Sequence, residues 1–219
     1  MSVEQQISGL MVQAFAQQKA QKNNEAIKTW NELLKIKGLS KEIQAQTLLS
    51  LSMLHQKQGS FDLCLEFMEK AIQVNPTNAE GYFCVAYFYQ QKENWQNAIK
   101  YFEKALKINI KDSGAFNNLG NCYDRLDKFN EAINAYNKAI DLDKNYIAAI
   151  YNRANVLTKQ NKNNKAIEDL TTVIKLDENF YQAYYNRASL YQRMGKEKLA
   201  QKDFKKAKEL AKYDLENKE

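Results

Sequence analysis

The sequence predicts an all-α protein built as a row of antiparallel helix pairs, and three observations carry that expectation. Gly occurs only 7 times and Pro once in 219 residues, against abundant Ala, Leu, Lys, Glu and Gln, which leaves few tight turns for a barrel, a sandwich or a Gly-rich nucleotide fold. The chain matches itself at a spacing of 34 residues over nearly its whole length. Within each copy the apolar residues recur at steps of 3, 4 and 7, the period of one buried stripe on a helix. With 44% apolar and 26% charged residues the chain is long enough to hide about 70% of its unfolded surface without a disulfide or a metal.

The copies run in order as follows. Repeat 1 (7–40) carries Leu10, Ala14 and Gln17 on its first helix and Ala26, Trp30 and Leu33 on its second. Four extra residues, Lys41 to Gln44, precede repeat 2 (45–78), where Leu48, Ser52 and His55 face Cys64, Met68 and Ala71 across a Gly59-Ser60 turn. Asn75-Pro76 ends the second helix of that copy, because proline cannot continue it. Repeat 3 (79–112) sets Tyr82, Ala86 and Tyr89 against Ala98, Phe102 and Ala105 around Glu93-Asn94. Repeat 4 (113–146) sets Phe116, Gly120 and Tyr123 against Ala132, Tyr136 and Ala139 around Asp127-Lys128. Repeat 5 (147–180) pairs Ile150, Ala154 and Leu157 with Ala166, Leu170 and Val173 around Asn161-Lys162. Repeat 6 (181–214) pairs Tyr184, Ala188 and Tyr191 with Ala200, Phe204 and Ala207 around Gly195-Lys196. The last helix is Lys-rich between 196 and 218, which suits a polar cap, and 215–219 forms its tail. The eighth and twentieth positions are small in every copy, so the two helices of each pair cross closely.

These residues resemble the tetratricopeptide repeat, most clearly in Asn118-Leu119-Gly120-Asn121-Cys122-Tyr123 with Glu131-Ala132-Ile133, and in Tyr185-Asn186-Arg187-Ala188 with Ala207. The resemblance runs from 7 to 214; Gln17 and His55 depart from the usual aromatic, and only Pro76 keeps the usual proline. It implies a right-handed superhelical solenoid, one array over 1–219 making most of a superhelical turn, with first helices lining a concave groove and second helices covering the convex back.

The resemblance also implies which first-helix positions read a ligand. At the fifth position the series is Met11, Leu49, Phe83, Asn117, Tyr151, Tyr185, and at the ninth Phe15, Met53, Tyr87, Asn121, Asn155, Ser189. The groove therefore passes from apolar in repeats 1 to 3 to polar in repeats 4 to 6. At the sixth position Asn118, Asn152 and Asn186 stack into a ladder, and an amide row, offering both donors and acceptors, suits the main chain of an extended peptide. The apolar half, Met11, Phe15, Leu49, Met53, Phe83 and Tyr87, suits an amphipathic helix, the chain's own N-terminus or a second copy of the chain. The thirteenth position supplies cations, among them Arg125, Lys159 and Arg193, which favour an acidic ligand or simply answer the helix dipole. All four Arg, the others being Arg153 and Arg187, lie in first helices of repeats 4 to 6 and favour carboxylate recognition there.

Chemistry finds little material. The chain has one His, no Gly-rich phosphate loop and no metal-ligand spacing, so the expectation is a non-enzymatic protein without cofactor or metal. His55 falls on a core position, Cys64 replaces the small residue of a second helix, and Cys84 falls on the groove side. The expected function is a protein-interaction scaffold or assembly adaptor holding a peptide or helix in its groove. The alternative is a co-chaperone with an altered carboxylate clamp: the frame Asn117/Asn121, Asn152, Gln182/Asn186 keeps both Asn and lacks all three cations. An RNA-binding helical repeat would need more than Tyr151 and Tyr185 and a net charge of +6 spread over both halves. A fragment of a longer protein is a further reading, against which the Met1 start weighs. Three Cys without close spacing, the absence of a usable glycosylation acceptor and an apolar stretch at Ile7 to Ala16 too short to span a bilayer point to the cytoplasm.

Overall fold

The computed structural model describes residues 2–216; of the expected tail, 217–219 lie outside the described residues. Twelve helices follow one another: α1 (Val3–Lys19), α2 (Asn23–Leu34), α3 (Lys41–Lys57), α4 (Phe61–Val74), α5 (Ala79–Gln91), α6 (Trp95–Ile108), α7 (Ser113–Arg125), α8 (Phe129–Leu142), α9 (Ile147–Lys159), α10 (Asn163–Leu176), α11 (Tyr181–Arg193) and α12 (Glu197–Glu216). The fold is all-helical, and each odd-numbered helix packs against the even-numbered one that follows, giving six pairs. The four residues inserted before repeat 2 form a helical turn: α3 begins at Lys41 under a Ser40 cap, and α1 likewise begins four residues before the repeat. No described helix is long and apolar enough to cross a membrane.

The chain divides into two compact bodies, Met1–Ile110 and Lys111–Glu219. In the N-terminal body Ala14, Trp30, Leu33, Leu51 and Leu54 form one core cluster, and Leu48, Leu49, Cys64, Met68, Val85 and Phe88 form a second. In the C-terminal body the largest cluster joins Ile150, Leu157, Leu170, Val173 and Leu190. The small eighth and twentieth residues are buried in every repeat, and the twenty-fourth side chain fills what they leave. Repeat 4 shows the compensation most sharply. A Cβ on Gly120 would stand 2.5 Å from the ring of Tyr136, which is 1% exposed, whereas repeat 3 accommodates Ala86 beside Phe102.

The turn inside each pair is the same device six times. The fifteenth residue adopts a left-handed conformation in every repeat: Gln21 (φ 58°), Gly59 (74°), Glu93 (56°), Asp127 (55°), Asn161 (58°) and Gly195 (70°). The following N–H reaches back to the carbonyl of the eleventh residue at 2.9 Å, as in Lys22 to Gln17 and Lys162 to Leu157, closing a Schellman motif that satisfies the helix end. After the second helix Asn75, Asp143 and Asp177 accept the N–H of Thr77, Asn145 and Asn179 at 3.3, 3.0 and 2.9 Å, so an Asx turn closes this corner with or without the proline.

The left-handed turn yields a test. Gln21 and Glu93 hold a conformation that costs a side chain with Cβ about 1 kcal/mol, which Gly escapes. Gln21→Gly and Glu93→Gly are expected to raise stability by about 0.5–1 kcal/mol each, read from urea unfolding midpoints, while Asn161→Gly gains less because Asn tolerates the region. Unchanged or lowered midpoints for both would show that the turn carries no strain.

Candidate functional site

In the C-terminal body the amides of α7, α9 and α11 interlock. Asn152 Nδ2 donates to Asn117 Oδ1 at 3.1 Å and to Asn121 Oδ1 at 3.0 Å, and one repeat later Asn186 Nδ2 donates to Tyr151 Oη at 3.0 Å and to Asn155 Oδ1 at 2.9 Å. In repeats 5 and 6 the sixth residue thus bridges the fifth and ninth of the copy before it. Tyr136 Oη also donates to Asn121 Oδ1 at 2.8 Å, fixing that amide from below. The ladder is therefore a structural joint on one side, with the donor nitrogens of Asn152 and Asn186 turned into the protein rather than toward a ligand. Asn117 is buried and leaves the set of ligand-facing residues.

What remains open alternates in kind. Among the described residues Asn121 and Asn155 have their oxygens engaged and their Nδ2 groups unengaged, while Asn152 and Asn186 have the reverse. The Asn118 amide is half-buried, and Tyr185 is 57% exposed. Tyr151 packs on Phe180 with ring centroids 5.0 Å apart.

The cations proposed for a ligand are otherwise placed. Lys159 Nζ lies 2.7 and 2.8 Å from the two oxygens of Asp124, so its charge is neutralised within the protein. Arg125 and Arg193 are exposed at the ends of α7 and α11. Arg153 grips Asp169 through Nε and Nη2 at 2.8 and 2.6 Å and donates Nη1 to Asn137 at 2.7 Å. Arg187 repeats the arrangement with Asp203 at 2.7 and 3.0 Å and Thr171 at 3.0 Å. The carboxylates these two Arg recognise are the chain's own, and few cations remain for an external one. The signal was present in the sequence: only repeats 5 and 6 carry Arg at the seventh position, and only they carry Asp at the twenty-third, where repeat 4 has Leu119 and Ala135.

In the N-terminal body the ninth positions line up as an exposed row, Phe15 (44%), Met53 (52%) and Tyr87 (44%). Phe15 stands edge-on to Trp30 at 5.0 Å, and Phe83, half-buried, stacks toward Tyr87 at 6.5 Å and meets Phe102 at 5.5 Å. Met11 is half-buried, and Leu49, 4% exposed, belongs to the core and not to the row. His55 stacks on Phe67 at 5.3 Å. Cys84 packs against the second core cluster, and desolvation pushes its thiol up to about 12; burial likewise pushes Cys122 to about 12 and Cys64 to about 11.

Tetratricopeptide repeat profiles match residues 77–145 and, as a second profile, residues 45–78 and 181–214, and a TPR repeat profile matches 154–195. No curated protein sequence matches the chain. Among solved structures, MamA is 25% identical over 76% of this chain and 97% of its own, with a TM-score of 0.73. YrrB, a TPR protein with an unusual peptide-binding site, is 22% identical over 76% of this chain and 86% of its own, with a TM-score of 0.67. PilF of Pseudomonas aeruginosa is 16% identical over 91% and 89%, with a TM-score of 0.75. The last two likenesses are of fold.

Two tests follow from this geometry. Asp203→Ala removes the carboxylate from a largely buried Arg187 and is expected to cost about 3–5 kcal/mol, whereas Arg187→Leu with Asp203→Ala restores the pairing of repeat 4 and recovers most of it. Equal loss in single and double variants, measured by chemical unfolding, would count against the ion pair. The three thiols should react with a disulfide reagent at about pH 8 more than tenfold more slowly in the native than in the denatured protein. The same shifts fix the sign of the alkaline response: thiols held neutral in the fold ionise first when unfolded, so stability is full below their ordinary pKa of 9.0 and falls as pH rises past it.

Proposed function

The chain belongs to the tetratricopeptide repeat family, and we propose that it is an interaction module holding a protein segment on its first-helix face, serving as a scaffold or assembly adaptor. The observation that carries the reading is the alternation on α7, α9 and α11. Unengaged Nδ2 groups on Asn121 and Asn155 alternate with unengaged Oδ1 atoms on Asn152 and Asn186. A peptide main chain offers carbonyls and N–H groups in the same alternation, so such a row binds extended backbone with little regard to its side chains. Internal bonds hold each amide in place, so little side-chain entropy is lost on binding. The Lys159 to Asp124 pair and the two Arg to Asp forks weigh against a carboxylate clamp as the means of recognition.

The N-terminal body complements this with different chemistry. Phe15, Met53 and Tyr87 present an apolar row suited to the apolar side of an amphipathic helix, and Met53 lets that surface adapt to more than one sequence.

A pool of fluorescein-labelled peptides tests the backbone reading. The protein should retain peptides that share no fixed side-chain pattern, and N-methylation of the peptide amides should weaken binding roughly three- to tenfold per blocked hydrogen bond. Asn121→Ala and Asn155→Ala, checked for fold by circular dichroism, should weaken it to a similar degree. Full affinity in N-methylated peptides, or in both variants, would refute the reading.

A further inference from the structure

On the second-helix side of the C-terminal body the same cleft occurs twice, one repeat apart, and the two copies differ in chemistry. Between α8, α9 and α10 it is about 310 Å³, floored by the Arg153 to Asp169 fork, walled by Ile133 and Leu157 and rimmed by Lys162, Lys165 and Glu168. Between α10, α11 and α12 it grows to about 630 Å³ over the Arg187 to Asp203 fork. Tyr191 replaces Leu157, Leu199 replaces Lys165, and Lys202 replaces Glu168. The second cleft is thus wider and more apolar in its walls, and its rim sets Lys202, Lys205 and Lys206 against one acid, Glu209. Leu199 is 46% exposed there, and Lys202, Lys205 and Lys206 are exposed and form no ion pair among the described residues.

We propose that this cleft docks a helical protein segment whose apolar side chains enter between Tyr184, Tyr191 and Leu199 while its Glu or Asp residues meet Lys202, Lys205 and Lys206. Charge complementarity selects an acidic partner, and Lys205 and Lys206 both lie one helical turn from Lys202, the spacing at which acidic residues repeat along one side of a helix. The indentation separates this partner from the other polyanions. A lipid headgroup is polar throughout and would leave the walls formed by Tyr184, Tyr191 and Leu199 without an apolar partner. A single-stranded nucleic acid would need free aromatic faces for its bases. Arg187 is already held by Asp203 and Thr171 and lies over both rings, 5.7 Å from Tyr184 and 5.9 Å from Tyr191. The surface is distinct from the amide row of α7, α9 and α11, so the two can be engaged separately.

The probe is a fluorescein-labelled helical peptide with Leu and Phe along one side and Glu along the other, followed by fluorescence anisotropy on the full chain. The Lys202→Glu/Lys206→Glu double variant should bind it about tenfold or more weakly, with both changes at exposed positions and the fold verified by circular dichroism. Replacing the peptide's Leu and Phe by Ser should weaken binding about as much, and added salt should weaken the parent complex. Lys165→Glu in the neighbouring cleft and Asn155→Ala on the amide row should leave affinity unchanged, which keeps this proposal separable from the backbone reading above. Unaltered binding in the double variant overturns the proposal. So does equal binding of the Ser-substituted peptide, or competition by polyuridylate or anionic phospholipid vesicles at matched charge, since each reduces the surface to a non-specific field.

Discussion

Close approach of the two helices in each pair, at one small residue on each, is the constraint on which the remaining geometry depends. Ala, Ser, Cys or Gly at these crossings brings backbones together, and the twenty-fourth side chain then has a fixed space to fill. That space sets its partner: Tyr136 fits only because Gly120 lacks a Cβ, and the Tyr136 hydroxyl in turn fixes Asn121. A packing choice on the inner side of one pair thereby orients a polar group on the first-helix face.

The periodicity made the fold legible, because a stripe at steps of 3, 4 and 7 repeated six times has no other economical burial. The turns were legible as locations but not as conformations, since Gln21 and Glu93 are not residues that announce a left-handed backbone. The Asn row was legible as a row. What the sequence concealed was which end of each amide faces out, because that depends on acceptors 31 and 35 residues away that exist only once neighbouring copies pack. Leu49 and Asn117 were misplaced for the same reason: a position that faces outward in an isolated pair is covered when the next pair arrives. Arg153 and Arg187 looked like ligand groups because their partners, 16 residues on, lie on the second helix of the same copy.

Charge in the C-terminal body is sorted by these pairings. Arg, whose planar fork matches a carboxylate at two points, is used where the pair is covered, and Lys is left at the exposed rim of α12. The covered pairs are neutral and hydrogen-bonded throughout, so they specify the register between consecutive second helices while contributing little field outside. At α12 the field that reaches solvent comes from Lys202, Lys205 and Lys206, which form no ion pair among the described residues.

The reciprocal wiring of repeats 5 and 6 bears on how such a chain changes length. Repeat 5 carries the donors that reach into repeat 4, Asn152 and Arg153, and also the acceptors that serve repeat 6, Tyr151, Asn155 and Thr171. A tandem duplication of residues 147–180 would therefore give each new Asn152 and Arg153 the acceptors that Asn186 and Arg187 already use, Tyr151, Asn155 and Thr171, with its own Asp169 for its own Arg153. Growth by whole copies at this point strands none of these amide and guanidinium donors, so the genetic event and the folded product share the same unit of length.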